Sequence, residues 1–185
     1  SRKVKNYLQL TNKIFVTYTA KNENKIGYFK TELVDAISPK YFNSKKKILC
    51  LNSLSSILKC LLPENQSYNN IFSSLDTLLH QFDKENWIIN YVIWELNLIN
   101  NLGFGFKINN KNFTGEDLNT ICKIKIDNVT YEVPVFIIVK KYDNLNKNSV
   151  YYGLNFCRNL MENKFFNPNN IKFPHSRKLL ENNFV

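Results

Sequence analysis

The sequence predicts an α+β fold, in which a short β-rich opening leads into a mainly helical body carrying one further hairpin. Three observations predict it. Two β-branched and aromatic runs, KIFVTYTA and IGYFKTEL, stand either side of the polar stretch KNENK near the start of the chain. Apolar residues then recur at helical spacing in three successive segments. Further on, ICKIKI and VTYEV flank Asp127 and Asn128, a pair suited to a tight two-residue turn.

The elements follow in order. The opening runs read as an antiparallel hairpin, and two strands cannot make a stable sheet alone. Either that hairpin packs on the rest of the chain or it is the tail of a barrel. With Asn43 or Ser44 as N-cap, Ile48, Leu51, Leu54, Leu58 and Leu61 mark a helix that Pro63 stops. A second helix from about Ser67 carries Phe72, Leu75, Leu78, Leu79 and Phe82 as its apolar stripe. In the third, over residues 86–102, 11 of 17 residues are apolar, and Asn86, Asn90, Asn97 and Asn101 fall on one narrow strip. This helix should be nearly surrounded by protein. Gly103 sits where a residue of positive φ ends a helix, and Phe104 and Phe106 should leave it pointing to one side. VFIIVK is ambiguous between strand and helix. Ser149 is expected to cap a fourth long helix, and Pro174 to open a short last one.

Glu95 falls opposite the asparagine strip, among Ile88, Tyr91, Val92, Leu98, Ile99 and Leu102. A carboxylate there must be paired or neutralised, because burying an unpaired charge is costly. A structural acid that fixes helix docking is the favoured reading, with a catalytic carboxylate as its rival.

The chain of 185 residues is long enough for a real core, at 44% hydrophobic content. No apolar run approaches the ~20 residues that cross a bilayer, so a cytoplasmic protein without membrane contact is expected. Cys50, Cys60, Cys122 and Cys157 are scattered, which argues against a zinc ribbon and a disulfide framework. The net charge of +10 invites a nucleic-acid reading, whereas 30 asparagines suggest that compositional bias supplies part of it. Bias does not explain position. Residues 1–47 carry a net +8, residues 48–102 a net −3 and residues 103–185 a net +5, so the basic charge is segregated to the two ends.

Signatures of enzymes are missing. The chain has no phosphate loop, nucleophile elbow, H-E-x-x-H or dinucleotide fingerprint. His80 and His175 are the only histidines, and Glu116 with Asp117 is a weak carboxylate pair in a loop. No catalytic residue, metal site or cofactor is expected.

The order of elements resembles the RecO family of bacterial recombination mediators. LQLTNKIFVTYTA is similar to that family's fourth strand of an N-terminal OB barrel, and IGYFKTELVDA to the fifth strand and the exit into the helical domain. CLLPEN resembles a Leu-Pro-Glu segment between the first helices, and FTGEDL a Thr-Gly loop. The most specific pieces are WELNLINNLGFGF, which fits E-x-x-L-x-x-x-L-G-F/Y-G, and the ending with Pro174, Ser176, Arg177 and Leu180 in a Pro-x-Ser-Arg-x-x-Leu pattern. Some members hold structural zinc on four cysteines after the glycine motif. Here that segment reads KINNKNFTG, so no zinc is expected.

The resemblance implies that residues 1–36 are the last two strands of a partial OB-fold barrel and that residues 37–185 form the helical C-terminal domain with its small hairpin. The chain, opening on Ser1 inside a basic stretch, is expected to be N-terminally truncated. The implied function is that of a non-enzymatic DNA repair and recombination mediator. Such a protein binds single- and double-stranded DNA, anneals strands coated with single-strand-binding protein, and with RecR assists RecA loading. A basic adaptor module without specific DNA function is the alternative, and a compact enzyme would need a convergent polar site.

An OB barrel holds single strands by a cationic groove and aromatic faces. The DNA-binding candidates are therefore Arg2, Lys3, Lys5, Lys13 and Lys30, with Lys45 to Lys47 as an extension and Tyr7, Phe15, Tyr18, Tyr28 and Phe29 as stacking partners. For the acidic, apolar-ended tail of single-strand-binding protein the candidates are Lys107, Arg158, Arg177 and Lys178, with Lys111 and Lys164 also available.

Overall fold

A computed structural model describes residues 7–22, 25–106, 113 and 116–185. Strands β1 (Lys13–Thr19) and β2 (Tyr28–Asp35) form the first antiparallel pair. The helices are α1 (Ile37–Lys40), α2 (Lys45–Leu61), α3 (Asn69–His80) and α4 (Trp87–Ile99). Strands β3 (Ile121–Ile126) and β4 (Val129–Pro134) then precede α5 (Val135–Val139), α6 (Lys147–Met161) and α7 (His175–Asn182). Among the described residues the fold is thus α+β, with two separate two-stranded sheets and seven α-helices.

The core is built around α4. Nine of its residues, Ile88, Ile89, Tyr91, Val92, Trp94, Glu95, Leu96, Leu98 and Ile99, are buried, while Asn86, Asn97 and Asn101 stay exposed on the expected strip. Helices α3 and α6 pack on it, and α7 lies along α2. Gly153 of α6 lets two helices approach closely. A Cβ there would stand 3.0 Å from Phe136 Cζ and 3.3 Å from Val92 Cγ1.

Local signals set the boundaries. Ser44 holds the N-cap position of α2 without a side-chain hydrogen bond to the helix, and the helix ends before Pro63. After Ile99 the chain makes a wide π-type turn over Asn100–Phe104, in which Gly103 takes φ of 89°. Phe104 and Phe106 both turn toward α6 and the turn beyond it, meeting Phe165 edge-on at 4.6 Å and Phe156 at 5.5 Å. Asp127 and Asn128, with φ of 45° and 68°, close the β3–β4 hairpin as a two-residue turn between Ile126 and Val129. VFIIV is helical, and Lys140 in the left-handed region ends it.

Two expectations change. The cap of α6 is Asn146, whose side chain accepts from Ser149 N at 2.8 Å, so the helix starts earlier than Ser149. The Ser149 hydroxyl donates instead to Asn119 Oδ1 at 2.7 Å, tying down the loop before β3. Phe72 is 58% exposed although it lies on the apolar stripe of α3. Ile71, Leu78 and Leu79 carry that helix into the core.

Candidate nucleic-acid interface

Register divides the β1–β2 hairpin into two unlike faces. Cross-strand partners share a face, and successive residues alternate. Ile14 pairs with Leu33, Val16 with Thr31 and Tyr18 with Phe29, which makes one face apolar apart from Thr31. Tyr7 reaches this face, because its hydroxyl lies 2.9 Å from the Thr31 side-chain Oγ1 and donates to Thr31 O at 2.8 Å. The other face pairs Phe15 with Glu32, Thr17 with Lys30 and Thr19 with Tyr28, so aromatic, hydroxyl and charged groups are interleaved. Both faces are open to solvent, with Phe15 of the mixed face and Phe29 of the apolar face at 60% and 67% exposure.

The two strand ends are held close together at the loop. The Gly27 amide donates to the Tyr18 hydroxyl at 3.0 Å, and a Cβ on Gly27 would lie 2.5 Å from both Thr19 O and the Tyr18 ring. Lys21 and Lys25, which the sequence reading passed over, are exposed beside this loop. Their signal was only their place in the hairpin loop.

At its base the hairpin is fastened to the helices. Lys13 Nζ donates to both carboxylate oxygens of Asp76 on α3 at 2.9 Å, and it stands 5.7 Å from the centre of the Phe72 ring. Asn12 Oδ1 accepts from Ser38 N at 3.0 Å, and Lys40 reaches Asp35 at 2.8 Å. The Lys40 hydrogen bond holds the Asp35 carboxyl below its ordinary range, against a small desolvation effect. Of the expected DNA contacts, Lys30 projects freely between Phe15 and Tyr28 on the mixed face, whereas the charge of Lys13 is engaged by Asp76. Arg2, Lys3 and Lys5 lie outside the described residues. In the extension, Lys46 lies over the Phe184 ring at 4.5 Å, and Lys47 lies over Tyr41 at 4.8 Å and near Asp83 at 3.6 Å.

The expected partner cations are arranged differently from a surface rim. Arg177 is fully buried, which removes it from any partner-contact set. Its Nε donates to Glu95 Oε1 at 2.7 Å, and its Nη2 to Glu95 Oε2 at 2.9 Å and to Leu154 O at 2.7 Å. Tyr91 donates its hydroxyl proton to Glu95 and accepts from Ser53 Oγ at 2.8 Å. Burial alone would lower the pKa of Arg177, but Glu95, with Tyr91, more than offsets it and holds the guanidinium charged. Burial, then the Glu95 carboxylate, pushes the Tyr91 hydroxyl and the Cys50 and Cys157 thiols up.

The network continues outward. Glu181 Oε2 accepts from Arg177 Nη1 at 3.3 Å and Arg158 Nε at 3.0 Å; Glu162 meets Arg158 at 3.3 Å and Lys178 at 3.7 Å. Lys164 pairs with Asp127. Lys107 and Lys111 fall outside the described residues. A groove of mixed character lies elsewhere, lined by the apolar Ile93, Leu96, Phe106 and Ile137 together with Asn97, Asn100, Lys140 and Tyr142. Among the described residues no cluster of three His, Cys, Asp or Glu could hold a metal ion, and no helix is long and apolar enough to cross a membrane.

Comparison with known proteins bears on this arrangement. The family model for the C-terminal part of recombination protein O matches residues 44–129. A DNA repair protein RecO from Ehrlichia chaffeensis is 33% identical over 125 residues, covering 65% of this chain and 51% of the relative. RecO from Wolbachia pipientis wMel is 27% identical over 193 residues, covering 93% of the chain and 80% of the relative. The chain is thus similar to RecO proteins over most of its length.

RecO of Anaplasma marginale aligns over 102 residues at 28% identity, 55% of this chain and 43% of the relative. The chain spans about half the length of the first curated relatives it matches. No solved structure matches it. The RecO match runs from the cap of α2 through the turn of β3–β4, and so includes Glu95. The ending that supplies Arg177 lies beyond it. The two sequence patterns that most resembled RecO therefore meet in one buried ion pair.

Proposed function

We propose that the chain is part of a RecO-type mediator of DNA repair and recombination. In this reading residues 1–36 supply the last two strands of an OB barrel and residues 37–185 form the helical domain behind it. The protein acts by binding, without chemical turnover or cofactor, and it operates in the cytoplasm. It holds single- and double-stranded DNA, anneals strands coated with single-strand-binding protein, and assists RecA loading together with RecR.

The observation that carries this reading is the difference between the two hairpin faces. A face of Ile14, Val16, Tyr18, Phe29 and Leu33 suits the interior of a closed barrel. Its opposite, with Phe15 and Tyr28 on either side of Lys30, supplies π faces and a cation at the surface, the two ingredients by which OB folds hold single strands. Arg2, Lys3, Lys5, Lys21 and Lys25 would add to the field. The groove where Ile93, Leu96, Phe106 and Ile137 meet Asn97, Asn100 and Lys140 offers apolar surface and a cation to an acidic peptide ending in an apolar residue, and it replaces Arg177 in the partner-binding proposal.

Fluorescence anisotropy of a labelled oligothymidylate across a salt series tests the DNA reading. Binding should weaken steeply with salt, and Lys30→Ala together with Phe15→Ala should weaken it at fixed salt. Salt-independent binding, or none, would refute it.

A further inference from the structure

We infer that Phe72 of α3 extends the single-strand track off the hairpin and onto the helical body, as a stacking platform for one base. The inference rests on the proposed DNA-binding role of the mixed hairpin face and adds a residue outside the strands.

The geometry that points to it begins with β1. Lys13, Phe15, Thr17 and Thr19 alternate along β1, and the pairing with β2 shifts between Lys13, which meets Asp35, and Ile14, so Lys13 stands at the irregular end of the row that Phe15 begins. Its ammonium does not extend into solvent at the end of that row. It bends onto α3, where Asp76 takes both of its hydrogen bonds and Phe72 lies beneath it. Phe72 and Asp76 are one helical turn apart and share a face of α3. The helix thus presents an aromatic ring where the strand's own row ends. From Thr19 to Lys13 that row runs about 20 Å at strand rise.

The chemistry of the surroundings favours a nucleobase over a protein side chain. Phe72 is the one large apolar side chain of α3 that is exposed; Asn69 and Asp76 share its face, with Tyr68 and Leu75 half-buried there. A docking protein would need a contiguous apolar patch, whereas a base needs one ring face. Lys13 neutralises Asp76, the carboxylate that would otherwise repel a nearby phosphate. With the ammonium 5.7 Å from the ring centre, Phe72 remains 58% exposed. Nothing in the core requires a phenyl group here, since Ile71, Leu78 and Leu79 bury α3.

The test uses the full chain and a labelled oligothymidylate. Phe72→Leu keeps an apolar side chain but removes the ring, and it should weaken binding by roughly 5- to 150-fold, the range that loss of one stacked base gives. Because no phosphate contact is lost, the slope of log affinity against log salt should not change. Phe72→Trp should retain the affinity, and its added indole emission should be quenched by the oligonucleotide. Unchanged binding in Phe72→Leu, while Phe15→Ala and Lys30→Ala weaken it, would overturn the inference and leave the hairpin reading standing. Unchanged binding in all three would remove both. A flattened salt slope in Phe72→Leu would show that the ring only seats Lys13, which also overturns it.

Discussion

Glu95 and Arg177, 82 residues apart, form a bidentate ion pair from which water is excluded, and through it four helices are held in register. Arg177 comes from α7 and Glu95 from α4. Leu154 of α6 receives the remaining Nη2 bond, and Tyr91 relays the contact to Ser53 of α2. Among the described residues no buried side-chain nitrogen or oxygen lacks a partner, so the network is satisfied throughout. Pairing inside the core makes Glu95 a structural acid and uses the arginine charge internally.

The pair should therefore be expensive to break from one side. Glu95→Gln keeps the shape but leaves the guanidinium buried with a neutral partner, at a cost of about 3 kcal/mol. Arg177→Met should cost a similar amount by stranding the carboxylate. The double variant Glu95→Leu/Arg177→Met should lose clearly less than the sum, because neither charge is then orphaned. Urea unfolding of the three variants measures this. Additive losses would mean that the two residues are not energetically coupled.

How much of this was legible in the sequence depends on the range of the cause. The bounds of α2, the positive φ of Gly103 and the turn at Asp127 and Asn128 follow from neighbours within a few residues, and they were readable. The need of Glu95 for a partner was readable from its helical face. The identity of that partner was not, because an arginine on a short, polar C-terminal helix looks like a surface residue until the chain closes. Phe72 failed for a related reason. Periodicity places it on the apolar stripe, but only tertiary packing decides which edge of a stripe is covered.

Two glycines should be sensitive to a methyl group for opposite reasons. At Gly103 no heavy atom stands within 4 Å of a built Cβ, so Gly103→Ala should cost about 1–2 kcal/mol through its positive φ alone. Asn at that position should cost less. At Gly153 the added carbon would press on Phe136 and Val92, and Gly153→Ala should cost about 1–3 kcal/mol by overpacking. Truncating Phe136 to Leu in the same chain should recover part of the second loss and none of the first. Thermal unfolding of the variants distinguishes the two causes.

Alkali should act on the junction below the first hairpin. The Tyr41 hydroxyl is pushed up to about 12 by burial and then by Asp83, whereas an unfolded tyrosine titrates near 10. A folded-state pKa raised in this way gives stability that is present below pH ~10 and is lost as the pH rises toward ~12. The loss is on the order of 2 kcal/mol. Tyr41→Phe should be less sensitive to pH over that window, although Tyr91 will add a loss of its own at still higher pH. Denaturant midpoints measured from pH 9 to 12 for both chains test this. Parallel curves would show that Tyr41 does not control the transition.

The lysines of the first hairpin should separate into two classes. Lys30 stands between Phe15 and Tyr28 on an open face, while Lys13 gives its charge to Asp76 at 2.9 Å. Each lysine that neutralises a phosphate contributes about 0.7 to the slope of log affinity against log salt for a single strand. Lys30→Ala should therefore flatten the slope by about that amount and leave stability within ±0.5 kcal/mol. Lys13→Ala should flatten it less. It should also free the Asp76 carboxylate to repel the strand, so affinity falls at low salt more than the slope change accounts for. Adding Asp76→Asn to Lys13→Ala removes that repulsion and should restore most of the affinity. Anisotropy titrations with oligothymidylate from low to moderate salt measure all three quantities. If Lys13→Ala and Lys30→Ala prove equivalent in slope and neither responds to Asp76→Asn, the Lys13–Asp76 pair gives way to phosphate on binding, and the base of the hairpin is a direct phosphate contact.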